Sequence, residues 1–469
     1  MSDARGAAKE PRTFEKTRTS ETVLQRITAL RAPRKLLGLE LSLLLFAMAV
    51  GIAAIVIVDL TVLGRVTTTL LPTGALFLIA LFALHITIRR IAPDADPLIM
   101  PIATLLNLVG VAMIYRIDLA RSVSGWESTS VRQLVWSTVA VVAAIAVLAV
   151  IRNHLVLFRY TYLTGLGAVI LLLLPMLPGI GQEINGARVW IHIGSFSFQP
   201  GEIAKILLAV FFAGYLVRNR DSLAMVGKKV LGIRFPRGRD LGPLLVFWLA
   251  AMSVLVFQRD LGTSLLYFGL FLSMLYLATG RVGWIILGVG LFLVGGLVAS
   301  QALEYVNRRF ANWLDPFADP YGASHQMVQG LFGMANGGMT GTGLGQGYPN
   351  DTPLAQSDYI IPSLGEELGL IGLFVILAAY LLLVGRGLRI GFAGQDDFGK
   401  LLASGLAFTI ALQVFIVVGG VTRVIPLTGL TAPFLAAGGS SLVSNWIIIA
   451  LLILLSNSVR NRPKLVIRS

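Results

Sequence analysis

Five carboxylates and two guanidiniums share one polar, glycine-rich stretch between two long apolar runs: Glu304, Asp315, Asp319, Asp351 and Asp358 against Arg308 and Arg309. The stretch holds Asp315-Pro-Phe-Ala-Asp319-Pro-Tyr-Gly and closes with Ser357-Asp358-Tyr359 and Gly365-Glu366-Glu367-Leu368-Gly369. Carboxylates gathered in this way can hold a hard cation, Mg²⁺ or Mn²⁺, using one or two of their number together with a substrate phosphate. Asp319, Asp358 and Glu367 are the candidates for it. More charge sits at the ends of apolar runs, where burial is expensive and a partner or a polar cavity is required. Pro200-Gly-Glu202-Ile-Ala-Lys205 reads as a helix start with proline in the first turn, and the i, i+3 spacing puts Glu202 and Lys205 on one face. Asp260 follows Arg259 between two runs, Arg423 ends another, and Glu366 and Glu367 open a third. The bland reading is that Glu202–Lys205 and Asp260–Arg423 are ion pairs between helices. The set together, beside an acidic loop, points to a polar cavity.

The elements that must position these groups are membrane helices. The chain has 469 residues, 56% hydrophobic and 13% charged, and its mean hydropathy is +0.80, which indicates an all-α, polytopic integral membrane protein. About 20 apolar residues cross the hydrocarbon. Such runs fall near 37–58, 69–88, 96–115, 132–151, 158–178, 201–217, 241–257, 262–280, 282–300, 362–385, 400–420 and 437–457, about twelve spans with ten to thirteen defensible. The Pro-Gly-rich stretch 426–433 between the last two reads as a broken or re-entrant piece.

The net charge of +14 reflects topology and not nucleic acid. With the N-terminus inside, Arg and Lys alternate onto the loops expected to be cytoplasmic, both termini are cytoplasmic, and the 301–361 loop lies outside. Residues 1–36, with nine Lys and Arg, read as a disordered cytoplasmic tail and not a signal peptide. The organisation that follows is an extra helix pair over 37–94, a transmembrane core over 95–300 and 362–458 split by the large extracellular loop 301–361, and a basic cytoplasmic tail over 459–469.

Several chemistries lack their parts. Cysteine is absent, so disulfides and thiolate metal sites are excluded. The four histidines form no ligand cluster, and neither a nucleophile elbow nor an HExxH motif is present. Residues 330–347 hold eight glycines but no strand–turn–helix context, so neither a nucleotide nor a redox cofactor is indicated. A compact loop with tight turns and close backbone approach to a substrate are both compatible with that glycine content.

The motifs Asn185-Gly-Ala-Arg188-Val-Trp190, Gln199-Pro-Gly-Glu202-Ile-Ala-Lys205, Asp260-Leu-Gly-Thr263, Asp315-Pro-Phe-Ala-Asp319-Pro-Tyr-Gly, Ser357-Asp358-Tyr359-Ile360 with Gly365-Glu-Glu-Leu-Gly369, Ile425-Pro-Leu-Thr-Gly429 and Gly438-Gly-Ser440-Ser441 stand in one order. In this the chain resembles the SEDS family (shape, elongation, division and sporulation) over about residues 95 to 458, nearer its elongation member than its division member. Gly201, Arg259, Ser357 and Ala436-Ala437 depart from the family pattern without removing an ionisable group.

The resemblance implies a peptidoglycan glycosyltransferase that polymerises lipid II, an undecaprenyl-pyrophosphate-linked disaccharide-pentapeptide, at the outer face of the cytoplasmic membrane. Asp319 matches the catalytic aspartate, a base for the acceptor hydroxyl in an inverting displacement. Lys205, Arg188 and Arg423 would neutralise pyrophosphate, alone or through a divalent cation, with Asn185, Glu202, Asp260, Asp358 and Glu367 around them. A flippase for the lipid-linked precursor and a scaffold are the competing classes. The chain lacks the Ser-x-x-Lys and Lys-Thr-Gly elements of a transpeptidase, so a class B penicillin-binding protein is the implied partner for cross-linking.

Overall fold

The computed structural model describes residues 35–184, 186–193, 196–220 and 256–460, with isolated positions between 229 and 253. Most of the expected span at 241–257, most of both terminal tails and Asn185 lie outside the described residues. The long helices are α1 (Lys35–Leu63), α2 (Leu71–Ile91), α3 (Ile99–Ala120), α4 (Thr129–Val150), α5 (Thr161–Leu173), α6 (Pro200–Arg218), α7 (Leu261–Thr279), α8 (Gly283–Ala302), then α9 (Glu304–Leu314) and α10 (His325–Gly337) of the connecting stretch, and α11 (Ile360–Ala393), α12 (Asp397–Val421) and α13 (Gly439–Arg460). Among the described residues ten are long and apolar enough to cross a membrane.

Helices α3, α6, α12 and α13 form the interior and are apolar on nearly every face, whereas α1, α2 and α8 present exposed Phe46, Ile79, Leu293 and Leu297 outward. A bilayer covers such faces. Polar side chains buried in the interior find one another: the Trp446 indole donates to Asn107 Oδ1 at 3.2 Å, and Asn107 Nδ2 donates to Ser137 Oγ at 3.2 Å.

Three local outcomes differ from the hydropathy reading. The run at 158–178 does not continue as one helix; Pro175 starts a 3₁₀ turn over Leu174–Met176, and a three-stranded antiparallel sheet follows, β1 (Gly181–Ile184), β2 (Ala187–Ile193) and β3 (Phe196–Phe198). The run at 362–385 becomes a 34-residue helix interrupted at Gly369, whose φ of 68° and ψ of −175° leave the helical region. The glycine-rich segment is helical up to Gly337 and turns only beyond it.

These last two features explain each other. A helix break frees backbone groups that no water in hydrocarbon can satisfy. Here Thr342 and Gly343 N–H donate to the carbonyls of Glu366 and Glu367 at 2.9 and 3.0 Å, while Leu370 and Ile371 N–H donate to Gly338 and Met339 at 2.9 and 3.1 Å. Backbone lies directly on backbone, and a side chain at Gly341 (φ 83°) would collide with Glu367 O. The glycines serve the protein's own backbone.

The segment from Thr422 to Gly438 is irregular, as the Pro-Gly content led us to expect, and its second half, from Leu430 to Ala436, is mostly buried. Side chains satisfy its carbonyls. Gln413 Nε2 reaches Thr431 O at 2.9 Å, Gln133 Nε2 reaches Ala436 O at 2.9 Å, and the Tyr380 hydroxyl donates to Pro433 O.

Candidate active site

Asp319 sits in the turn between the 3₁₀ helix Pro316–Ala318 and α10, exposed to solvent. Its Oδ2 accepts from Ala323 N–H at 2.8 Å, and its carbonyl accepts from Ser324 N–H at 3.3 Å. Gly322 leaves room for this carboxylate, since a Cβ there would meet both of its oxygens. Oδ1 makes no hydrogen bond among the described residues. Asp315, also exposed, caps the 3₁₀ helix through Phe317 N–H at 3.2 Å. Each acid of the repeated Asp-Pro is thus held through one oxygen with the other open, Asp315 at the start of the 3₁₀ helix and Asp319 in the turn that follows it.

Arg423 holds that turn from below. Its guanidinium donates to Trp313 O at 3.0 and 3.2 Å and to Leu314 O at 3.0 Å, and the Trp313 indole returns a bond to Arg423 O at 2.9 Å. A cation on the carbonyl end of α9 is favoured by the helix dipole. Among the described residues the Asp260–Arg423 ion pair of the bland reading does not form. Asp260 is instead the N-cap of α7, its Oδ1 accepting from Thr263 N–H at 3.0 Å and its Oδ2 from Thr263 Oγ1 at 2.6 Å.

Glu202 and Lys205 do pair, at 2.5 Å, and both are buried. Lys205 Nζ also donates to Gln413 Oε1 at 3.0 Å and Asn445 Oδ1 at 3.5 Å, and Ser444 Oγ donates to Glu202 at 2.7 Å. All three ammonium protons have acceptors, drawn from α6, α12 and α13. Gln199, which precedes Pro200, connects this cluster to the next, its N–H donating to Ser440 Oγ at 2.8 Å and its amide to Asp260 at 3.4 Å.

Glu367 goes elsewhere. Arg116 Nε donates to its Oε1 at 2.9 Å and Gly345 N–H to its Oε2 at 2.9 Å, while Arg116 Nη2 donates to Gly347 O at 2.7 Å. Glu366 accepts from Asn336 Nδ2 at 3.1 Å and Tyr348 N–H at 3.0 Å. Both acids pin the glycine turns to α11. Arg188, on the exposed sheet, pairs with Glu183 at 3.0 Å.

Asp358 is half-buried just before α11. Loss of water around its carboxylate pushes the pKa up to about 7, opposed by the Arg309 guanidinium and the Ser357 hydroxyl and reinforced by Asp260. Burial likewise raises Asp260, with Thr263 and Arg309 opposing. The meeting point is Gly429, at φ 79°: a Cβ there would lie 3.7 Å from Asp358 Oδ2 and 4.0 Å from Arg309 Nη2. Arg309 Nη1 donates to Thr428 O at 2.8 Å and Leu427 O at 3.3 Å.

The structure therefore brings Asp260, Asp358 and Arg309 together, ties Asp260 through Gln199 to the start of the helix that carries Glu202 and Lys205, and sends Glu367 and Arg188 to other partners. Among the described residues no group of three or more His, Cys, Asp or Glu is arranged to hold a metal. Arg116 and Arg309 escaped the sequence reading because their partners lie far along the chain. The only local signal for Arg309 was a base in an acidic loop.

A family model described as cell cycle protein, FtsW, RodA and SpoVE, matches residues 96–461. The peptidoglycan glycosyltransferase RodA of Mycobacterium tuberculosis is 46% identical over 427 residues, 90% of this chain and 91% of that protein. A probable peptidoglycan glycosyltransferase FtsW of a Geobacter species is 34% identical, over 78% of this chain and 97% of that one. Among solved structures, a chain described under "Structural coordination of polymerization and crosslinking by a peptidoglycan synthase complex" superposes with a TM-score of 0.59 at 25% identity, over 77% of this chain and 98% of that one.

Proposed function

This chain belongs to the cell cycle protein family of FtsW, RodA and SpoVE, and from that membership and the loop geometry we propose how it works. It is a peptidoglycan glycosyltransferase, an integral membrane protein with higher identity to the RodA than to the FtsW relative compared above. In our reading the substrate is lipid II. The 4-hydroxyl of the acceptor sugar attacks the anomeric carbon of the donor, its proton passes to Asp319, and the undecaprenyl diphosphate leaves, inverting that carbon. The role is carried by the place of Asp319 in the family's Asp-Pro motif, and its geometry fits, an exposed carboxylate with Oδ1 open and its other oxygen fixed by Ala323 N–H, although Asp315 is likewise open at one oxygen. A base must be both oriented and free to take a proton.

Asp260 and Asp358 would orient the cations that hold the diphosphate end, and Gln199 ties Asp260 to the start of α6, which carries Glu202 and Lys205. A divalent cation arriving with the diphosphate would find Asp358 as its protein ligand, since both oxygens of Glu367 are already engaged. We place the loop between Ala302 and Ile360 outside the cytoplasmic membrane on loop charge. A cysteine at Tyr321, 89% exposed, should label from the external side only.

The helix break at Gly369 and the irregular 422–438 segment are features that a flippase would also use, but the protein's own groups satisfy the freed backbone of both. Purified protein in detergent, with no bilayer to cross, should polymerise lipid II. Absence of polymer from wild-type protein under these conditions would favour transport. For cross-linking we infer a class B penicillin-binding protein as partner, testable by co-purification from native membranes and a rise in polymer yield when it is present.

A further inference from the structure

Four basic side chains near the candidate site are already engaged. Lys205 has three acceptors, Arg423 is held by the end of α9, Arg116 by Glu367 and Gly347, and Arg308 by Glu304 at 2.5 Å. Arg309 differs. It is half-buried, only Nη1 makes hydrogen bonds, to the backbone of Leu427 and Thr428, and it forms no ion pair within 4.0 Å among the described residues. Nη2 and Nε stay uncommitted beside Gly429, where the lack of a side chain keeps the approach open and Asp358 faces it. A guanidinium anchored by one nitrogen presents its remaining edge in a fixed direction, the geometry that suits bidentate recognition of a phosphate. Ten residues separate it from Asp319, along α9 and the turn that α9 leads into.

We propose that Arg309 binds the diphosphate of the lipid-linked donor, with Asp358 the carboxylate that the incoming phosphate displaces from its field. The assignment rests on the glycosyltransferase reading above. In the transfer step the acceptor oxygen bonds to the anomeric carbon, the bond from that carbon to the diphosphate oxygen breaks, and its electron pair stays on the diphosphate. The acceptor proton goes to Asp319. Charge grows on the phosphate side as the bond breaks, and a guanidinium fixed before the reaction stabilises it without reorganising. The raised pKa of Asp358 agrees with a carboxylate that Arg309 compensates only in part. A phosphodiester headgroup offers the same oxygens, so the source of the phosphate has to be tested as well.

The experiment measures binding of undecaprenyl diphosphate, in EDTA, to purified full-length protein carrying Asp319→Asn, so that neither turnover nor a cation held by Asp358 enters. This variant should bind the probe, and phosphatidylglycerol at equal concentration should not compete. Adding Arg309→Met should weaken binding about ten- to a hundredfold, with Arg309→Lys recovering part of it. Asp358→Asn leaves Arg309 and its backbone bonds in place, so it reads the same site without risk to folding; it should tighten binding. Unchanged affinity in Arg309→Met, weaker binding in Asp358→Asn, or equal competition by phosphatidylglycerol would each overturn the assignment while the polymerase reading stands. No binding of the probe by Asp319→Asn itself would count against that reading too.

Discussion

The Glu202–Lys205 cluster and the Asp319 turn are both charged sites picked out by sequence spacing, yet they have opposite settings. In the first the Lys205 ammonium has three acceptors, one of them the Glu202 carboxylate that it neutralises, deep among α6, α12 and α13. In the second an exposed carboxylate is fixed at one oxygen and left open at the other. The difference follows from dielectric. Charges inside a bilayer protein must be paired to be tolerated, so a buried, neutralised pair orders helices, whereas a base needs an unpaired carboxylate that substrate can reach. The SEDS-like motifs contain both kinds, and spacing alone does not separate them.

The sharpest way to break the comparison is Asp319→Asn. The amide keeps the shape and can still accept from Ala323 N–H, but it takes no proton. Polymerisation of lipid II should fall about 10²- to 10⁴-fold with expression and thermal midpoint unchanged. Normal polymer yield would move the base elsewhere, and an equal loss from Asp315→Asn would identify the wrong carboxylate.

The buried cluster should respond in stability first. Lys205→Met strands Glu202 among helices, a loss on the order of 3–5 kcal/mol for breaking a buried pair. Adding Glu202→Gln should return much of it, because no uncompensated charge is then left. Thermal unfolding in detergent reads both variants. If the double variant regains stability but makes no polymer, the cluster also serves catalysis and the contrast drawn above is too strong.

Asp358 lies between the two extremes, half-buried and only partly compensated. Its folded pKa, about 7, exceeds the ordinary value, so the folded state holds the proton more tightly. The sign follows: its contribution to stability is fully present below about pH 4 and is lost as the pH rises through about 7. Asp358→Asn should flatten the loss of stability between those values. A wild-type protein that gains stability over this range, with the variant unchanged, would show that Arg309 compensates the charge fully.

Much of this architecture was legible as hydropathy, because length and apolar content are what a bilayer selects. The apolar runs near 96–115, 201–217, 400–420 and 437–457 coincide with α3, α6, α12 and α13, and the i, i+3 pair Glu202–Lys205 formed because helix geometry alone brings it together. The break at Gly369 was hidden, since one glycine in an apolar run leaves hydropathy unchanged and what stabilises the break is a loop some 30 residues away. Arg116 with Glu367, Arg423 with Trp313 and Arg309 with Thr428 are all long-range. Each joins segments whose proximity only the fold decides.

The smallest effect is expected at Arg188, and it sharpens the comparison from the other side. Like Asp319 it is exposed, and like Lys205 it is paired, but its partner Glu183 is on the neighbouring strand of the surface sheet, and the two side chains are 62% and 48% accessible. Water screens such a pair, which contributes about 0–1 kcal/mol. Arg188→Ala should therefore leave the thermal midpoint almost unmoved. Its effect on activity decides what the sheet is for. If the sheet only closes the gap between α5 and α6, the variant polymerises lipid II with kcat and KM near wild type. If Arg188 leaves Glu183 for the donor's diphosphate when substrate arrives, KM rises while stability does not, and Glu183→Gln, which releases the arginine, lowers it. That second pattern would make openness to solvent, and not the absence of a partner, the property that separates reactive from structural charge in this protein.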